Sequence, residues 1–114
     1  MTTKFLSHLK KNHPITSNPK IKVVLLKDKI VIPEERGGGL ALGVVNYNDD
    51  HVEIKMCTDR HPWLVLKALA HEYRHLLQQY NMNWEAKFVV ADDDERELDA
   101  IIWSQKEVNV YLGR

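Results

Sequence analysis

His71-Glu72-Tyr73-Arg74-His75 is a string whose residue types and spacing suit a catalytic metal. At about 3.6 residues per helical turn, positions four apart stack on one face, so both imidazoles can grip one ion with Glu72 beside them. The chemistry this suggests is peptide hydrolysis, with a carboxylate working on a metal-activated water. In a chain with six histidines, composition alone would produce such a string only about 0.02 times, which argues against coincidence.

Catalytic zinc takes three protein ligands and keeps a fourth position for water, so a further donor is needed. Glu95 is the choice on spacing: it lies twenty residues after His75, enough chain to turn back and face the histidine-bearing helix. Glu97 is its rival, because a two-residue error in the helix boundary would change the face. Asp99 follows Glu95 by one helical turn and is placed to hydrogen-bond a metal-binding imidazole, with pairing to Arg74 or Arg96 as the bland alternative. His51, His61, Tyr73, Tyr80 and Tyr111 are all possible oxyanion donors, and no spacing singles one out.

The elements that must position these residues are also legible. Residues 3–12 carry Phe5, Leu6 and Leu9 at helical spacing and read as a short amphipathic helix ended before Pro14. Ile21 to Leu26 and Lys29 to Ile32 are β-branched runs that suggest two strands, as in a hairpin. Residues 33–39 form a loop whose three glycines give it freedom; it lacks the Lys-Ser/Thr of a phosphate-binding loop and reads as a mobile turn rather than a gate.

Leu40 to Tyr47 and His51 to Cys57 make a second strand pair around Asn48-Asp49-Asp50. Val52, Ile54 and Met56 alternate with Glu53 and Lys55, which suggests an exposed sheet margin able to bind an extended substrate by strand addition. Thr58 or Asp59 can cap a helix running to about Tyr80, with Pro62 in its first turn. That helix is apolar almost all round before His71, so the motif is expected on a buried, central helix. A last helix spans about Asp93 to Glu107, with Asp92 to Asp94 as caps rather than a calcium loop. Trp63 and Trp103 are expected between the two helices, and Trp84 as a surface anchor.

At 114 residues the chain reads as one domain, with 44% hydrophobic and 28% charged residues as in ordinary globular proteins. Formal net charge is zero, yet the first 27 residues hold six lysines and no acid, while residues 92–99 are strongly acidic. The lysines are dispersed and lack interleaved aromatics, so a solvated face is favoured over nucleic-acid binding. Cys57 is the only cysteine and is expected to be inert. Without a signal-like or membrane-spanning apolar run, a cytoplasmic protein is expected, with no membrane partner.

The pair of strings His71-Glu72-Tyr73-Arg74-His75 and Glu95-Arg96-Glu97-Leu98-Asp99 resembles the gluzincin metallopeptidases. With the short length and the strand-loop-helix run from Val52 to His71, residues 50–105 are similar to the ImmA/IrrE-like peptidases of bacteria and phages. That resemblance implies an α+β, minimal zincin-like fold: a mixed or antiparallel sheet of three or four strands on the motif helix, flanked by N- and C-terminal helices. It implies Zn2+ held by His71, His75 and Glu95, with Glu72 as general base, Asp99 behind the ligands, and a protein or peptide substrate. No recognition segment is matched, so a second expectation stands beside the enzyme: a peptidase-like module that binds a protein partner without cleaving it.

Overall fold

The computed structural model describes residues 2–82 and 90–114; the side chains of residues 36 and 90–94 lie outside that description. Three helices pack with a small sheet in an α+β arrangement. Helix α1 (Thr2–Asn12) buries Phe5 and Leu9, as its spacing requires. Strand β1 (Ile21–Leu26) follows, then the short β2 (Ile30–Val31), a 3-10 turn at Glu34–Arg36, β3 (Leu40–Ala41), β4 (Gly43–Tyr47) and β5 (Val52–Cys57). Helices α2 (Pro62–Tyr80) and α3 (Val90–Leu112) complete the chain.

The main sheet has the order β1-β5-β4, with β1 parallel and β4 antiparallel to β5. Three expectations change here. The 21–32 region is no hairpin: β1 reaches across to β5, and β2 pairs instead with β3. The 40–47 run divides at Leu42, whose carbonyl accepts from the Cys57 amide. β5 is the central strand and β4 the margin. The alternation in β5 records one covered face and one open face, and any strand of a sheet covered on one side shows it, edge or centre.

Val52, Ile54 and Met56 turn their buried faces to α2, whose Val65, Leu66, Leu69, Ala70, Tyr73, Leu76 and Leu77 form the middle of the core. Trp63 and Trp103 both pack against that core, Trp103 of α3 stacking on Tyr73 of α2, whereas Trp84 lies outside the described residues. His61 caps α2 in place of Thr58 or Asp59: its Nδ1 accepts from the Trp63 amide at 3.2 Å, and Pro62 follows at the start of the helix, where a missing N–H costs nothing. At the other end the Tyr73 hydroxyl donates to the His13 carbonyl at 2.6 Å, and Asn81 bridges the Thr16 amide and the Pro14 carbonyl. The segment after α1 is thereby fastened to α2. α3 begins three residues before the expected Asp93 and runs five beyond Glu107, and the capping side chains proposed at residues 92–94 are outside the description. Among the described residues no helix is long and apolar enough to cross a membrane.

Candidate metal centre

α2 brings His71 and His75 onto one face, one turn apart, with their rings nearly perpendicular at 81°. Their Nε2 atoms are 3.2 Å from each other. A carboxylate from α3 closes the triangle, with one oxygen 3.0 Å from His71 Nε2 and the other 2.9 Å from His75 Nε2. That carboxylate belongs to Glu97. Glu95, the residue chosen from spacing, is exposed and has no part in the cluster.

A tetrahedral zinc with bonds of about 2.0–2.1 Å holds its ligand atoms about 3.3 Å apart. The three separations here, 2.9 to 3.2 Å, are within a few tenths of an ångström of that figure. Two imidazole nitrogens and one carboxylate are also a donor set that zinc favours. The residues present therefore fit a divalent ion.

The tautomer of His75 is set from behind. Gln78, wholly buried one turn further along α2, donates from Nε2 to the Arg96 carbonyl at 3.0 Å and to Asp99 at 2.8 Å. Its amide oxygen is thus left to accept from His75 Nδ1 at 2.8 Å. When His75 is neutral its proton thus stays on Nδ1 and the Nε2 lone pair is offered to an ion; when it is protonated, Nε2 donates to Glu97. Asp99 consequently supports His75 through Gln78 and does not touch an imidazole itself. Its other contact is a forked ion pair with Arg74, 2.7 and 3.3 Å, and Arg74 in turn lies over the Trp103 ring.

Glu72 stands beside the triangle, lining the same cleft, and passes close to β4. A Cβ on Gly43 would come within 3.2 Å of its Cγ and 3.3 Å of its carboxylate oxygen, so a side chain at residue 43 would press on Glu72. Burial pushes the Glu72 carboxyl above the usual carboxylate range, against the pull of the imidazoles of His75 and His71. Hydrogen bonds from His71 and His75 hold Glu97 far below it. Burial would lower the imidazole pKa of His75, but its bonds to Glu97 and Gln78 outweigh this and raise it.

These groups open into a cleft of about 570 Å3 between β4 on one side and α2 on the other, with Arg96 and Glu97 of α3 at one end. The five oxyanion candidates are placed otherwise. His51 pairs with Asp50, His61 serves as a cap, Tyr73 is buried, and Tyr111 packs on Phe5 and His8. Tyr80 stacks obliquely on Tyr47. Tyr47 itself does line the cleft, its hydroxyl pushed up to about 12 by burial and by Tyr80. Gln78, Gly43 and Tyr47 were missed from sequence; of these only Gln78 carried a signal, three residues after His75 on the same helical face. Compared with family models, curated proteins and solved structures, the chain gives no match.

Proposed function

We propose that this chain is a small zinc metallopeptidase resembling the ImmA/IrrE-like gluzincins, with Glu97 in the place first given to Glu95. The observation that carries the reading is the meeting of His71 Nε2, His75 Nε2 and the Glu97 carboxylate within 3.2 Å, beside a half-buried Glu72 in an open cleft. His71, His75 and Glu97 would hold the ion. Bound there, zinc supplies a Lewis acid that polarises a carbonyl and makes water acidic near neutral pH.

The chain's own residues supply the proton chemistry and the positioning. Glu72, with its raised pKa, takes a proton from the attacking water and passes it to the departing amine nitrogen, so that the carboxylate is regenerated as the C–N bond breaks. Gln78 and Asp99 keep His75 in the tautomer that offers Nε2. β4 borders the cleft and has no second strand partner among the described residues, so the pairing edge for an extended peptide is assigned to β4 in place of β5.

Glu72→Gln tests this directly. The variant should keep one equivalent of zinc, measured on protein purified without a histidine tag, and lose peptide cleavage by about 10²-fold or more. Unchanged cleavage would remove Glu72 as the base. Protein holding less than about a tenth of an equivalent of metal, with no uptake of added zinc, would end the metal reading altogether.

A further inference from the structure

The cleft extends well beyond the reacting groups, along α2 toward its N-terminus. That arm is floored by Leu64 and Ala68 and bordered by Arg60 and Lys67. Among the described residues the acids of the lining, Glu72 and Glu97, both stand at the metal end, so the arm there holds two cations and no carboxylate. Neither Arg60 nor Lys67 has an ion-pair partner among the described residues; Lys67 Nζ instead lies 5.5 Å from the centre of the Trp63 ring. The neighbouring Asp59 is exposed and does not line the cleft, and the first turn of α2 carries no acid to offset the two charges.

Resting on the peptidase reading, we propose that this arm selects acidic side chains of an extended peptide. Lys67 precedes His71 by one helical turn, about 6 Å, and Arg60, which lines the same cleft just ahead of the α2 cap, lies roughly 14–16 Å back. An extended peptide advances about 3.3 Å per residue. The two cations therefore stand level with side chains about two and about four or five residues to one side of the scissile bond. Half-buried cations beside an apolar floor attract carboxylates more strongly than open surface charges do, and among the described residues no carboxylate has to be displaced first.

The test is binding to the zinc-loaded Glu72→Gln protein, followed by fluorescence anisotropy. The probes are peptides blocked at both ends, with Glu, Gln or Lys placed two and four residues from the central bond, on its N-terminal side in one series and its C-terminal side in another. In one of the two series, Glu peptides should bind about five- to tenfold more tightly than Gln peptides and Lys peptides more weakly still, with the advantage shrinking as salt is raised. Arg60→Glu with Lys67→Glu should invert that order, and the milder Arg60→Gln with Lys67→Gln should bring the Glu and Gln peptides to parity. Equal affinity for Glu and Gln on both sides, or a Glu preference that survives the charge-reversed pair, would overturn the proposal. Cleavage by the wild-type protein separates this from the reading beneath it. Hydrolysis of Glu and Gln peptides at equal kcat/KM would remove the acidic preference and keep the peptidase. Acid-selective binding with no hydrolysis would remove the peptidase and keep the selectivity of the arm.

Discussion

Glu95 and Glu97 are two residues apart on one helix and so point about 200° apart around its axis. Only one of them can face α2. The buried residues of α3, Ala100, Ser104 and Val108, fall one turn apart and mark the seam. Glu97 precedes Ala100 by three residues and lies about 60° from that seam, whereas Glu95 precedes it by five and lies about 140° away. The small residues of the seam were the available signal for which glutamate meets the histidines, since they let two helices approach closely; reading the helix from its acidic start hid it. Glu97→Gln should therefore weaken zinc binding by about 100-fold or more in a chelator competition titration, and Glu95→Gln should stay within about twofold of wild type. Equal losses in the two variants, or none in Glu97→Gln, would return the third ligand to question.

At the scale of elements, the approach of β4 to α2 has a direct consequence for Glu72. Replacing Gly43 by Ala puts a methyl group 3.2 Å from Glu72 Cγ and 3.3 Å from its carboxylate oxygen, so the side chain must give by a few tenths of an ångström. A general base moved by even 1 Å can cost about 10²-fold in rate. Gly43→Ala should accordingly lower kcat by about 10- to 100-fold while leaving zinc content and KM near wild type, and an unaltered kcat would show that the carboxylate has room to spare. Much at this scale was readable beforehand. The apolar run from Trp63 to Ala70 placed the motif on a central helix, and Phe5, Leu6 and Leu9 gave α1 nearly to the residue. Strand partners were not readable, because β1 joins β5 only after the β2, β3 and β4 excursion, and nothing local to either strand encodes that long-range parallel register. The same limit made β5 look like a margin, as alternation reports what covers a face and says nothing about what pairs an edge.

At the scale of the whole molecule, the cluster of His71, His75 and Glu97 is a clip between α2 and α3, and its protons and a bound ion would pull stability in opposite directions with pH. In the metal-free protein His75 has its pKa raised above the ordinary 6.5, so its contribution is fully present below that value and is lost as pH rises through the folded one. Glu97 is depressed below 4.5, so its contribution is present above 4.5 and is lost only as pH falls through its folded value. From these two groups the metal-free fold gains most between about pH 4.5 and 6.5 and loses the His75 part as pH rises further, while Glu72, its carboxyl raised by burial, adds a loss of its own as pH rises above 4.5. Zinc needs both imidazoles without their Nε2 protons, so its binding strengthens over that same upper range. At free zinc about 100-fold above Kd the ion adds about 2.7 kcal/mol, which for a domain of this size is a Tm rise of about 10 °C or more. Thermal unfolding should then show the metal-free Tm falling between about pH 6 and pH 8 while the zinc-induced increment grows, and His75→Ala should flatten both trends. No zinc increment at pH 8 would mean that the two helices are joined by ion pairing between Glu97 and the imidazoles and not by a metal, and an equal increment at the two pH values would mean that the ion displaces no proton from His75.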